Sequence, residues 1–228
     1  MTTVWEFGEA PLAQTQRYAA AMRRVSSLVL QMEESTEAVD DLIARIEAAE
    51  PGLRAAVPSD PTPRVGEAAS DTGRVYLDHS RGVAGYNPAF PVYELEADGD
   101  HAEGKVNFPV LYEGPPGLVH GGFLSLLFDL VIQQHNCDVG VAGKTTRLEV
   151  RYAAPTPLLT DLDITVERVV TGRRIESTAT LSHGGTTSCT ATMEAVAGRR
   201  EALPAVSPRR VSPESPRDEG GPGAGGAL

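Results

Sequence analysis

Apolar residues near the N-terminus recur at the three-and-four spacing that is typical of amphipathic helices. The pattern runs from residue 12 to about residue 50, first in AQTQRYAAAMRRVSSLVLQM and then in EAVDDLIARIEAAE. Ser35 or Thr36 can cap the second helix, and Pro51 and Gly52 are expected to end it. The pattern therefore predicts an N-terminal extension made of helices.

The pattern changes after residue 85, where short extended segments surround one long apolar run. Extended segments are expected at residues 91–97 and 104–112, and an apolar helix at residues 119–136. Further strands are expected at residues 145–153, 162–170, 173–182 and 186–197. One long buried helix beside a run of antiparallel strands indicates an α+β domain in which the helix packs on one face of the sheet.

Composition divides the chain into three parts. Residues 1–84 are a helical extension and a linker, since the stretch from residue 51 to about residue 90 is rich in Pro, Gly, Ala, Ser and Asp. Residues 85–198 hold the α+β domain. Residues 199–228 end in SPESPRDEGGPGAGGAL, which has too few apolar residues to fold, so this tail is expected to be disordered.

Charge and cysteine content exclude several classes of function. A formal net charge of -11 argues against nucleic acid as the main partner. No apolar run reaches the roughly 20 residues that span a bilayer, and the first residues lack a signal-peptide pattern, so a cytoplasmic protein is expected. Cys137 and Cys189 have no CxxC spacing or nearby histidine pair, which favours buried apolar cysteines over a metal site.

Candidate chemistry begins at the triplet His120-Gly121-Gly122, which opens the apolar helix. Free N–H groups at a helix start, together with the helix dipole, stabilise a developing negative charge such as a carbonyl oxyanion. The alternative is a glycine-rich helix entry needed only for close packing. A second triplet, His183-Gly184-Gly185, lies between two strands and is predicted to form a hairpin turn.

Asp129 is a single carboxylate inside the apolar helix. A buried carboxylate must be hydrogen-bonded, neutralised or turned toward a wet pocket, and such a group can serve as a general base for water. Gly121 and Asp129 are eight residues apart, hence roughly 12 Å along one helix axis. Both can act on one carbonyl only if a second, antiparallel copy of the helix lies alongside, which predicts a two-fold dimer with sites at its interface.

The ordered set of motifs resembles the hotdog-fold thioesterase superfamily, which includes the PaaI-like thioesterases of phenylacetic acid degradation and acyl-CoA hydrolases. The family pattern is GxxHGG, an acidic residue nine positions after the histidine, and a strand that opens with Ser or Thr and runs to Tyr-x-x-Pro. The matching residues here are Gly117, His120, Gly121, Gly122, Asp129, Thr145, Tyr152 and Pro155. The resemblance covers about residues 85 to 197 and implies an antiparallel sheet wrapped around a long central helix.

The resemblance also implies a role for each matching residue. Asp129 would act as general base or direct nucleophile, and the amide of Gly121 or Gly122 would polarise the thioester carbonyl. His120 would orient that turn. Thr145, expected on the polar side of its strand with Arg147 and Glu149, would help to position the water.

The implied enzyme is an acyl-CoA thioesterase without metal or organic cofactor, working as a homodimer or a dimer of dimers. Arg173 and Arg174 are candidate cations for the coenzyme A phosphates, against the alternative of a solvated hairpin. Many relatives place an asparagine six residues before the histidine, where this chain has Gly114. His135, Asn136 and Asp138 follow no ligand spacing and are interpreted as a helix end.

Two other functions stay open at this level. A non-catalytic hotdog domain could bind acyl-CoA or another apolar ligand, or serve as an assembly module through the N-terminal helices, which the core does not need. A hotdog hydratase is less favoured, because the Asp–His placement of those enzymes has no match in this sequence.

Overall fold

The computed structural model describes residues 13–57, 87–139 and 143–197, together with the backbone of residues 64–65 and 207–208. The predicted linker and the predicted disordered tail lie largely outside these residues. The described chain is an antiparallel sheet packed on one long helix, preceded by two further helices. The predicted α+β hotdog architecture is confirmed.

The elements follow the order of the sequence pattern. The helices are α1 (Ala13–Val29), α2 (Glu37–Ala56) and α3 (Gly121–Asp138), and a 3₁₀ helix spans Val110–Tyr112. The strands are β1 (Arg64–Val65), β2 (Tyr93–Asp98), β3 (His101–Asn107), β4 (Gly143–Tyr152), β5 (Asp161–Thr171), β6 (Arg174–His183), β7 (Thr186–Ala197) and β8 (Ser207–Pro208). Among the described helices, none is long and apolar enough to cross a membrane.

The main sheet has six strands in the order β2-β3-β5-β6-β7-β4, and every neighbouring pair is antiparallel. The short strands β1 and β8 pair with each other in parallel. Strands β6 and β7 form the predicted hairpin, and its turn glycines Gly184 and Gly185 have φ of 54° and 80°, a region that favours glycine. Strand β4 is the last strand in this order and therefore forms one edge of the main sheet.

Helix α3 is apolar on most of its circumference because the sheet curves around it. Leu127, Phe128, Val131 and Ile132 are fully buried, and they meet the inward-facing side chains of the strands. Alternate residues of β5, β6 and β7 are buried, and the intervening residues on the opposite face are largely polar. Helix α3 therefore contacts five of the six strands of the main sheet: β2, β4, β5, β6 and β7.

The N-terminal helices behave differently from the prediction in one respect. Pro51 and Gly52 do not end α2, which continues to Ala56. A proline inside a helix removes one backbone hydrogen bond, and α2 has no buried residue, so water can bind the carbonyl left without its donor. Of the two predicted candidates, Ser35 and Thr36, Thr36 is the N-cap residue, although its hydroxyl makes no capping hydrogen bond.

The second difference concerns residues 104–112, around which the sequence predicts an extended segment. Strand β3 ends at Asn107, and Val110–Tyr112 forms the 3₁₀ helix. Pro109 has φ of -69° and its carbonyl accepts a hydrogen bond from the Tyr112 N–H at 3.0 Å, so the chain turns there. This turn directs the chain toward the start of α3.

Candidate active site

The entry to α3 is built by a tight loop that ends at His120. The loop is closed by a bridge between Glu113 and Val119, and the His120 N–H donates to the Tyr112 carbonyl at 2.9 Å. His120 is the N-cap residue of α3, and its Nδ1 accepts a hydrogen bond from the Gly122 N–H at 3.0 Å. Of the two glycine N–H groups at the helix start, that of Gly122 is therefore already bound to the imidazole.

The other amide belongs to Gly121, the first residue of the helix. The His120 carbonyl in the same peptide unit accepts from the N–H groups of Phe123 and Leu124, so the Gly121 N–H points out of the helix. Within the described part of the chain, this N–H has no hydrogen-bond acceptor. An unpaired N–H at the positive end of a helix dipole is suited to a developing oxyanion.

Two hydroxyl groups hold the Gly121 carbonyl. Tyr152 Oη donates to the Gly121 oxygen at 2.9 Å, Ser125 Oγ lies 3.2 Å from the same oxygen, and the two hydroxyls are 2.8 Å apart. A methyl group on Gly121 would lie 3.2 Å from the Tyr152 ring. Sequence reasoning named Tyr152 only as part of a motif and did not select Ser125, although Ser125 is one helical turn after Gly121.

Gly114, six residues before His120 in the sequence, is in close contact with that residue. A Cβ added to Gly114 would lie 2.7 Å from the His120 Cα, which is closer than side chains approach backbone. The Gly114 N–H donates to the Leu118 carbonyl at 2.9 Å within the same loop. The loop before α3 therefore leaves no room for a side chain at Gly114 unless its backbone shifts.

Asp129 lies in the middle of α3 and is partly buried. Thr145 Oγ1 of strand β4 is 3.4 Å from Asp129 Oδ1, and the same hydroxyl receives a hydrogen bond from Gln133 Nε2 at 2.6 Å. Sequence reasoning did not select Gln133 as a candidate. The available signal was its position one helical turn after Asp129, where a second polar residue interrupts a buried surface.

The predicted orientation of Thr145 is wrong. It was expected to share a face of its strand with Arg147 and Glu149, but the pairing of β4 with β7 shifts between Thr145 and Arg147. Such a bulge inserts one extra residue, here Thr146, and reverses the side to which the preceding side chains point. Thr145 consequently faces α3, whereas Arg147 and Glu149 are exposed and contact each other.

Arg173 and Arg174 lie at the β5–β6 hairpin, away from the α3 face of the sheet. Arg174 forms ion pairs with Glu176 at 2.7 Å and with Glu194 at 3.3 Å, and Arg173 donates to the Ala197 carbonyl at 2.8 Å. Both side chains are exposed. Within one protomer they are not brought together with Asp129.

The residues at the C-terminal end of α3 form a buried polar cluster. His135 and Asn136 are fully buried, His135 Nε2 is 2.9 Å from the Gly99 carbonyl, and Arg168 forms an ion pair with Asp100 at 3.0 Å. Burial lowers the pKa of His135. The position of His135, Asn136 and Asp138 at the end of α3 agrees with their interpretation as a helix end. Across the described residues, no group of three or more His, Cys, Asp or Glu side chains could hold a metal ion.

No protein-family model and no curated protein matches the chain. Among solved structures, the chain is similar to a crystal structure described as a thioesterase superfamily protein, with 26% identity and a TM-score of 0.63. The similarity covers 86% of this chain and 100% of that one. The chain has the hotdog fold of the thioesterase superfamily. The predicted hotdog domain, residues 85–198, is half of the chain. Because the similarity covers 86% of the chain, it extends beyond that domain.

Two other solved structures are similar to about half of this chain. The thioesterase superfamily member 2 of zebra fish is 18% identical with a TM-score of 0.44, over 46% of this chain and 81% of that one. A hypothetical thioesterase from Streptococcus pneumoniae, whose structure contains coenzyme A, is 27% identical with a TM-score of 0.43, over 48% of this chain and 91% of that one.

Proposed function

We propose that this protein is an acyl-CoA thioesterase that hydrolyses its substrate to a free acid and coenzyme A. The observation that carries the proposal is Asp129, a partly buried carboxylate that follows the apolar residues Leu127 and Phe128 in the middle of α3 and lies beside the Thr145 hydroxyl. The similarity in fold to a thioesterase superfamily protein supports the same reaction class.

In the proposed reaction, Asp129 removes a proton from water, and the resulting hydroxide attacks the thioester carbonyl carbon. The carbonyl oxygen becomes an oxyanion that the Gly121 N–H stabilises, since His120 already occupies the Gly122 N–H. The intermediate collapses when the C–S bond breaks, and the leaving coenzyme A thiolate takes up the proton that Asp129 had accepted from water, which restores the carboxylate. Direct attack by the Asp129 carboxylate, followed by hydrolysis of the anhydride, is the alternative first step.

We further propose that the active unit is a homodimer, or a dimer of dimers, in which each site combines two chains. Gly121 and Asp129 are on one helix and lie roughly 12 Å apart along its axis, too far to contact one carbonyl. Strand β4 is ten residues long and forms an edge of the sheet, so a second copy can extend the sheet there. A two-fold axis beside β4 would bring the partner's helix alongside α3.

Arg173 and Arg174 are the proposed cations for the phosphates of coenzyme A. Both guanidinium groups are exposed, and the ion pairs of Arg174 with Glu176 and Glu194 are at the surface, where such pairs contribute little. A phosphate could therefore replace the glutamate partners at small cost.

Release of free thiol from a panel of acyl-CoA substrates, from short and aromatic to long-chain, tests the reaction. Asp129→Asn should abolish hydrolysis and leave the fold intact. Asp163→Asn is the matched control, because Asp163 lies on the solvent side of β5 and only approaches Lys105 at 3.9 Å. Full turnover by Asp129→Asn would contradict the mechanism.

Mixing two variants that are each expected to be inactive tests the shared site. In Gly121→Val the added side chain lies beside the Gly121 N–H and against the Tyr152 ring, 3.2 Å from its Cβ, so the thioester carbonyl cannot approach that N–H. When Asp129→Asn and Gly121→Val chains are mixed in equal amounts, half of the dimers contain one of each. Each mixed dimer then has one site with both native residues, so about a quarter of the native activity should return if sites are formed across a two-fold axis. No recovery after subunit exchange, verified with tagged chains, would exclude a site shared in this way.

The second candidate function is a non-catalytic hotdog domain that binds acyl-CoA or serves as an assembly module through the helical extension. It is favoured by α2, which has no buried residue and exposes Ile43, Ile46 and Leu53. Binding of acyl-CoA in calorimetry without release of thiol would support this function over hydrolysis.

A further inference from the structure

Gln133 is a buried amide on the apolar helix, with 4% of its surface exposed. Its Nε2 donates to Thr145 Oγ1 at 2.6 Å and to the Gly143 carbonyl at 3.2 Å, so both amide hydrogens are used on strand β4. The opposite orientation of the amide would place its oxygen against the Gly143 carbonyl, where two acceptors would repel each other. The direction of these hydrogen bonds is therefore determined by chemistry.

The Gln133 amide also determines where the Thr145 hydroxyl points its proton. An amide nitrogen can only donate, so Thr145 Oγ1 must act as acceptor toward Gln133. Its own hydrogen can then reach Asp129 Oδ1 at 3.4 Å or the Met193 sulfur at 3.7 Å. A carboxylate is a much stronger acceptor than a thioether, so the hydroxyl donates to Asp129.

We propose that Gln133 is a positioning residue for the hydrolysis proposed above, acting on Asp129 through the Thr145 hydroxyl. The inference rests on the proposed function and adds to it a residue outside the family motif. Without Gln133, Thr145 is free to rotate its proton away from the carboxylate. Gln133 then controls both the orientation of Asp129 and the ease with which it accepts a proton from water.

The bulge in β4 allows the hydrogen bonds from Gln133 to Thr145 and from Thr145 to Asp129, since it turns Thr145 toward α3. A purely structural role for Gln133 would be to tie α3 to the start of β4 through the Gly143 carbonyl. The two roles differ in one measurable way. A structural tie alone would not depend on the Thr145 hydroxyl.

A double-mutant cycle with thiol release as the assay separates them. Gln133→Met should lower kcat about three- to tenfold and leave KM within about twofold, since the interaction acts on the reacting group. In a Thr145→Val background the same change should have no further effect on kcat. Multiplicative losses in the double variant would overturn the proposal.

Gln134→Met is the matched control, because the neighbouring Gln134 has its own side-chain hydrogen bond, to Tyr93 Oη at 2.7 Å. Its kcat should equal that of the native protein. Gln133→Asn, which keeps the amide but is too short to reach Thr145, provides a second variant if the methionine variant does not fold. If Gln134→Met lost as much kcat as Gln133→Met, the loss would come from a general disturbance of α3, and the proposal would be overturned.

A measurement that needs no turnover completes the test. The titration midpoint of the Asp129 carboxyl, followed by carbon NMR, should move upward by about 0.5 to 1 pH unit in Thr145→Val, which removes the hydrogen bond to the charged form. It should move in the same direction in Gln133→Met, which releases the hydroxyl that donates this hydrogen bond. An unchanged midpoint in Gln133→Met overturns the inference even if no acyl-CoA is hydrolysed. Failure of the proposed function is recognised separately, by active Asp129→Asn protein or by absence of thiol release from the native protein.

Discussion

Gly114 offers a direct test of how the loop before α3 is built. Replacing it with alanine adds one methyl group at 2.7 Å from the His120 Cα and 3.0 Å from the His120 Cβ. Since these atoms belong to the backbone of a cap residue and its first side-chain carbon, they cannot rotate away, and the loop must shift. The shift would strain two hydrogen bonds of 2.9 Å, from Gly114 N–H to Leu118 and from His120 N–H to Tyr112.

The cost can be estimated from these contacts. Overpacking by a methyl group typically costs about 1 to 3 kcal/mol, and each weakened hydrogen bond about 0.5 to 1.5 kcal/mol. Because the loop can relax in part, we expect Gly114→Ala to lower the free energy of unfolding by about 2 to 3 kcal/mol. For a chain of this size that corresponds to a fall in Tm of about 4 to 12 °C. Gly114→Asn should lose at least as much and gain no activity.

Urea unfolding followed by circular dichroism measures the loss. The control is Gly52→Ala, which adds the same methyl group to the exposed helix α2, where no atom lies within 4 Å. That variant should be as stable as the native protein or slightly more stable, because alanine favours helix. If Gly114→Ala unfolds at the same urea concentration as the native protein, the close approach of Gly114 to His120 is refuted.

Three further predictions concern other parts of the molecule. Replacing both Arg173 and Arg174 with alanine should raise KM for acyl-CoA several-fold with kcat within about twofold, and weaken the dependence of KM on salt; an unchanged KM would exclude them as phosphate ligands. Burial chiefly, with a smaller effect of Arg168, lowers the pKa of His135, so the unfolded chain binds protons more readily than the folded one. The free energy of unfolding should therefore fall as pH drops below about 6.5, and less so in His135→Gln, as urea titrations at several pH values would detect. Burial raises the pKa of the Cys189 thiol to about 11, so alkylation of this residue at neutral pH should require unfolding; rapid labelling of native protein would contradict its burial.

Much of the fold follows from patterns that are local in the sequence. Alternation of small and β-branched residues along the sequence predicts strands β5, β6 and β7. Gly184 and Gly185 predict the hairpin between β6 and β7, because a tight turn with positive φ favours glycine. The continuous apolar run of α3 predicts a helix enclosed by a sheet. Its start at a His-Gly-Gly triplet and its single central carboxylate are likewise visible without coordinates, since both depend only on residue type and position in one helix.

The details of the candidate site depend on contacts between distant residues. Which glycine amide is free at the start of α3 depends on the His120 side chain, whose rotamer leads Nδ1 to the Gly122 N–H. The pairing of Gln133 with Thr145 depends on a bulge in β4, because one extra residue in a strand exchanges the two faces of the sheet. No local pattern signals that shift. Residue types thus determine which groups are available, and strand register determines which of them meet.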